Sequence, residues 1–186
     1  MTAINITRSP GTMAIDSSVG EVNWVNPDNA KSSDDTYAVA TFVDGDWDDE
    51  SYYLKATNFG FSIPTGATIN GISVDVEVKC EDDGGEMWFG MLTRKSRIIK
   101  GGVIGDTDVA GDLVEWKEIE RTLTIGSDSE LWDETWTSAD INSSTFGFTI
   151  TCSPNKGDYP NIAYVDSITM KVYYNNSISP FPSFYQ

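Results

Sequence analysis

The chemistry available to this chain is carried mainly by carboxylates. In the run Asp44-Gly45-Asp46-Trp47-Asp48-Asp49-Glu50, acids stand at alternate positions, Asp44, Asp46 and Asp48. In a curved loop, alternate side chains can converge on one hard cation, and calcium takes six to eight oxygen ligands. The run departs from an EF-hand loop, since the sixth position is Asp49 rather than Gly and the twelfth is Lys55 rather than Glu. A solvated acidic turn is the plainer reading, and calcium is the single cofactor that the stretch leaves open. Trp47, set among these charges, is the aromatic expected to be exposed, able to stack on a sugar or to dock on a partner. Trp132 and Trp136, four residues apart, complete a candidate glycan-binding set.

The absences are equally informative. The chain has no histidine, which removes the commonest general base and metal ligand and with them a Ser-His-Asp triad or a His-ligated zinc. No nucleophile elbow, phosphate-binding loop or dinucleotide fingerprint is present. Glycoside hydrolysis needs only two carboxylates, but 29 acidic residues are abundance rather than a pattern. The chain is not expected to be an enzyme.

Basic residues are few, so their placement is readable. Arg94, Lys95, Arg97 and Lys100 put four of the twelve positive charges within seven residues. On an acidic chain this local reversal of sign suits an acidic surface on a neighbour or on a second copy, or else a solvated hairpin end. The formal charge of −17 argues against nucleic acid and anionic membranes as partners. No apolar run approaches the length needed to cross a bilayer. The start MTAINITRSPG lacks the basic and apolar segments of a signal peptide, so synthesis and folding in a cytoplasm are expected. Cys80 and Cys152 fall on the inward parity of their strands and read as small buried hydrophobes, with a disulfide between them left open.

These residues must be positioned by strands. From Ile72 to Cys80 apolar and polar residues alternate without a break, the pattern of a strand with one dry and one wet face. Phe146–Cys152 and Ile168–Tyr174 repeat the pattern, with Phe146, Phe148, Ile150 and Cys152 inward on one and Ile168, Met170, Val172 and Tyr174 on the other. Shorter strands are expected at 3–6, 13–15, 21–25, 37–43, 54–63, 87–93 and 114–125; the strand holding the 72–80 alternation is taken from Ile69 to Cys80, with the turn-rich residues IPTGATINGI leading into it. Residues 94–113 read as a long loop, and Leu131–Asn142 as a turn or two of helix. Eight or more short strands without a long amphipathic helix indicate an all-β, antiparallel two-sheet β-sandwich, jelly-roll-like. One domain spanning residues 1–174, followed by an extended arm at 175–186, accounts for the whole length.

Four strings together carry a resemblance: WVNPDNAKSSDDTYAVA (24–40), LKATNFGFSIPTGATINGISVDVEV (54–78), LWDETWTSADINSSTFGFTI (131–150) and VDSITMKVYY (165–174). They resemble a β-sandwich domain that recurs in structural proteins of tailed bacteriophages. The resemblance implies a virion component, assembled in the host cytoplasm, of the capsid-decoration, head-fibre or tail-associated type. It supplies no catalytic residues, and 94–113 and the tail lie outside it.

Two readings follow. The first is a cement or decoration protein held to capsid or other virion proteins, or to a second copy, by Arg94, Lys95, Arg97 and Lys100 and by the tail aromatics Phe181, Phe184 and Tyr185. The second is a carbohydrate-binding sandwich for host-surface glycans, using Trp47, Trp132 and Trp136. A glycan binder would expose two or three aromatics in one plane, whereas a cement protein would expose them at contact edges.

Overall fold

The alternation between Ile72 and Cys80 lies in the middle of a strand fifteen residues long. In the computed structural model of this chain, residues 4–43, 48–82, 90–109, 114–155 and 161–176 are described. Twelve strands occur among them: β1 (Ile4–Arg8), β2 (Thr12–Asp16), β3 (Trp24–Val25), β4 (Ala38–Phe42), β5 (Tyr53–Thr57), β6 (Thr68–Asp82), β7 (Met91–Lys100), β8 (Val103–Ile104), β9 (Val114–Glu115), β10 (Arg121–Gly126), β11 (Gly147–Pro154) and β12 (Asn161–Asn175). A single turn of 3-10 helix covers Pro27–Ala30, and α1 covers Ser138–Asn142.

Among the described residues each sheet has six strands. The first runs β10-β6-β12-β4-β3, with β1 also paired to β12; the second runs β2-β5-β11-β7-β8, with β9 also paired to β7. Every pairing between these strands is antiparallel. The result is a two-sheet sandwich of the jelly-roll type. Its first sheet is built on the long β6–β12 pair, where Val74 faces Met170 and Val76 faces Ile168. Val74, Val76, Phe148, Ile150, Met170 and Val172 are all fully buried in one apolar cluster between the sheets. Burial of apolar area of this kind is the main favourable contribution to folding.

Four expectations are corrected. First, Arg94 to Lys100 are not loop but the greater part of β7, and only the stretch beyond them is a turn into β8. Second, only Ser138–Asn142 is helical within 131–142; Trp132 and Asp133 have φ of 59° and 54°, which no right-handed helix allows. The helix starts instead at Thr137, whose hydroxyl caps the Asp140 N–H while the Asp140 carboxylate accepts from the Thr137 N–H. Third, the turn read into IPTGATINGI does not reach Asn70 and Gly71, which lie inside β6 as the expected strand start at Ile69 had them. A Cβ on Gly71 would lie 2.2 Å from the Asp128 carbonyl carbon, so the glycine serves close approach of two backbones. Fourth, β11 is buried on both faces. Its outward threonines are covered by polar partners: Thr149 donates to the Leu54 carbonyl at 3.2 Å and Thr151 to Glu50 at 2.5 Å. Cys80 and Cys152 are both buried and unbridged, and desolvation raises the Cys152 thiol pKa far above its ordinary range.

Candidate functional site

The candidate surface is the outer face of the first sheet. Along β6 its wet positions are Asp75, Glu77, Lys79 and Glu81; along β12 they are Tyr164, Ser167, Thr169, Lys171 and Tyr173; β10 adds Thr122 and Thr124. Most of these side chains are half-exposed or exposed, with Ser167 the buried exception.

An irregularity in β12 decides which aromatics reach this face. The register shifts between Val165 and Ser167, so one extra residue, Asp166, is accommodated as a β-bulge. Below the bulge Ile168, Met170 and Val172 point inward. Above it the parity reverses, so that Ala163 and Val165 point inward and Tyr164 points out.

Tyr164 meets Tyr37, the residue just before β4, with ring centroids 5.5 Å apart and planes at 76°. This edge-to-face geometry is a favoured aromatic arrangement. The Lys79 ammonium sits over both rings, 4.2 Å from the Tyr37 centroid and 5.2 Å from that of Tyr164. The Tyr164 hydroxyl donates to Glu81 at 2.9 Å, and the Tyr37 hydroxyl donates to Asp35 at 3.3 Å. Desolvation, then the hydrogen bond to Glu81, pushes the Tyr164 pKa up to about 12. Desolvation and the neighbouring Glu120 carboxylate raise Tyr37 as well. Both phenols therefore remain protonated donors at neutral pH.

Further along, Thr124 donates to Asp75 at 2.6 Å and Ser167 donates to Glu77 at 2.6 Å. Each carboxylate has a second oxygen beyond the one so engaged. The strip from Tyr164 to Tyr173 is about 30 Å long at roughly 3.3 Å per residue.

Beside the tyrosine pair stands an acidic trio. Oxygens of Asp35, Glu120 and Asp166 lie within 4.8 Å of one another. Asp166 is 1% exposed and accepts from the Asp34 N–H at 3.3 Å. Its pKa is raised by desolvation and by Glu77, Asp34 and Asp35, against the opposing effect of the Asp34 N–H. Three hard oxygens of this kind suit a divalent cation, though calcium would need several more.

The residues picked out from sequence are placed differently. Trp132 is 1% exposed, and its indole donates to the Ile72 carbonyl at 3.1 Å with the ring edge-on to Phe148. It is a core residue, so its assignment to a glycan surface is corrected. Trp136 is half-buried, packed edge-to-face on Phe146 at 5.2 Å, with Lys100 over its ring. Trp132 and Trp136 therefore do not form an exposed aromatic pair. Lys95 is ion-paired with Glu50, and Lys100 donates to Glu134 at 3.0 Å and to the Thr135 carbonyl at 2.6 Å. Arg97 donates to the Gly105 carbonyl at 3.4 Å, and Arg94 is half-buried on the same strand. The basic stretch is thus a strand whose two lysines are already engaged within the chain, rather than an open cationic loop. Asp48 is exposed. Asp44, Asp46, Trp47, Phe181, Phe184 and Tyr185 lie outside the described residues.

Sequence reasoning missed Tyr37 and Tyr164, which are 127 positions apart. A signal was present nonetheless. Extending the Ile168–Tyr174 alternation backwards puts a carboxylate, Asp166, on the inward parity, and a carboxylate there marks a break in the register.

No protein-family model matches the sequence, and no curated protein matches it. Solved structures do align along most of the chain. One titled "CBM4 structure and function" shares 9% identity at a TM-score of 0.40, over 89% of this chain and 92% of its own. The CBM22-1 xylan-binding domain from Paenibacillus barcinonensis Xyn10C shares 11% at 0.41, over 90% and 92%. A family 11 carbohydrate-binding module from Clostridium thermocellum, in complex with a β-1,3-1,4-mixed-linked tetrasaccharide, shares 10% at 0.38, over 89% and 87%.

Proposed function

We propose that this chain is a non-catalytic binding module that takes an extended glycan along the outer face of its first sheet. The observation that carries the reading is the half-exposed Tyr37–Tyr164 pair at the head of a strip of carboxylates and hydroxyls. A sugar ring offers an apolar face to an aromatic and hydroxyl donors to carboxylates. A pocket is not required, because a strip about 30 Å long can accumulate contacts from several sugar units. Glycoside hydrolysis would place an acid and a second carboxylate on either side of the scissile bond, whereas Asp35, Glu120 and Asp166 cluster beside the tyrosine pair with Asp166 buried.

Binding is tested by titrating the full chain with a panel of soluble oligosaccharides in a calorimeter, beside Tyr164→Ala and Tyr37→Ala. The expected result is saturable binding to at least one glycan that either substitution weakens tenfold or more, with the melting temperature nearly unchanged. Absence of binding across the panel, or binding indifferent to both substitutions, refutes it.

A second reading, favoured by the resemblance of the strings spanning 24–174, places the protein on a virion as a decoration or fibre component held by protein contacts. The two are compatible, since a virion surface is where a host-glycan binder would act. A mass-spectrometric inventory of purified particles, with copy number, tests the location independently of the sugar titration.

A further inference from the structure

The two sheets differ in how their edges are closed. On one side of the molecule β7 is covered along its outer edge: β8 and β9 pair with it, and the Asp108 carboxylate accepts the Ser96 N–H at 2.9 Å. In the first sheet β10 is an edge strand that lines a shallow pocket together with Val109, and β3 is only two residues long. On the opposite flank, the ribbon of residues 4–16 supplies the last strand of both sheets. There, among the described residues, β1 pairs with β12 alone and β2 with β5 alone.

Sheet edges are usually guarded by proline, lysine, a bulge or a covering loop. Strand β1, Ile4-Asn5-Ile6-Thr7-Arg8, has no proline, no lysine and an unbroken register with β12. Four of its five residues are exposed, including Ile4 at 37%, and only Ile6 is half-buried. The same strip is also electrically balanced. The chain carries −17 overall, yet residues 4–16 contain one arginine (Arg8) and one aspartate (Asp16), +1 − 1 = 0. Two copies of an acidic chain can approach along this flank without like charges of its own opposing them.

We infer that β1 is a self-association edge, pairing antiparallel with β1 of a second copy about a two-fold axis and continuing the first sheet across the dimer. A two-fold perpendicular to the sheet keeps inner faces together. Centred on Ile6, it sets Ile6 against Ile6, Asn5 against Thr7, and Ile4 against Arg8 of the other copy. The isoleucines gain cover on the core side, and no like charges meet. The edge is five residues long, so association is concentration-dependent, and added salt strengthens it by screening the net charge.

The test is sedimentation equilibrium on the full chain over a wide concentration range, at low and high salt. The expected result is a mass that rises from monomer towards dimer, more readily at high salt. Asn5→Asp with Thr7→Asp places two pairs of like charges across the seam, as does Asn5→Lys with Thr7→Lys. Each double variant, folded by circular dichroism, should dissociate roughly tenfold more readily or worse. Mixing the two double variants should restore the dimer by charge complementarity, whereas Val25→Asp, at the β3 edge, should leave it intact. A monomer at every concentration overturns the inference, as does a dimer insensitive to both β1 variants. Failure of the mixture to recover association overturns it too.

Discussion

Trp132 separates a core aromatic from a ligand-binding one, and its substitution tests that distinction. The indole is buried against Phe148, and its N–H satisfies the Ile72 carbonyl inside the first sheet. Trp132→Phe keeps an aromatic ring but strands that carbonyl and leaves the space of the second ring. An unsatisfied buried acceptor costs about 1–3 kcal/mol, so a loss of about 2 kcal/mol is expected for Phe. Trp132→Ala adds a cavity, and truncations of this size cost about 3–5 kcal/mol. For a chain of this length about 1 kcal/mol corresponds to 2–4 °C, which puts the shifts at about 6 °C and 12 °C. Urea and thermal unfolding, followed by circular dichroism and fluorescence together, give both numbers. Whatever glycan the wild type binds should still be bound by folded Trp132→Phe with similar affinity. If that variant keeps full stability and loses the glycan, Trp132 is a surface ligand and the placement argued above is wrong.

Two further outcomes follow from the same geometry. The Asp166 pKa is raised above the ordinary value of 3.8, so its protonated form is favoured in the folded state and it destabilises the fold as pH rises through the raised value. Asp166→Asn keeps an acceptor for the Asp34 N–H and should raise the melting temperature at pH 7, the gain vanishing towards pH 4. An Asn variant less stable than wild type at pH 7 would contradict this. Below 3.8 the sign reverses for both proteins, because Asp16, Asp34 and Asp140 are held low by hydrogen bonds from Ser18, Ser32 and Thr137 and lose that stabilisation as they protonate. Gly126 has φ +82°, and a Cβ there would lie 2.4 Å from the Ile72 carbonyl oxygen. Gly126→Ala should therefore cost several kcal/mol through strain in the backbone and crowding beside Trp132, measurable by urea unfolding; a cost under about 0.5 kcal/mol would refute it.

Local pattern was sufficient for the sandwich itself. Alternation at 72–80, 146–152 and 168–174 named the inward residues correctly, because a strand with one dry face must repeat every two residues. The same local signal misled in part at Asn70-Gly71, where the turn dipeptide lies inside the strand expected from Ile69 and serves close approach to the Asp128–Ser129 backbone, a contact 57 positions away. It misled again at Trp132 and Trp136, whose spacing of four suits a helix that the positive φ at Trp132 and Asp133 forbids. The proposed binding face depended on tertiary structure alone. The bulge at Asp166 turns Tyr164 outward, sheet order sets β4 beside β12, and only then do Tyr37 and Tyr164 meet over Lys79. Net charge and the absence of histidine were fixed by composition and excluded whole classes of chemistry. Which aromatics reach solvent depends on strand register, and register is settled between strands distant in sequence, by the packing that closes the core.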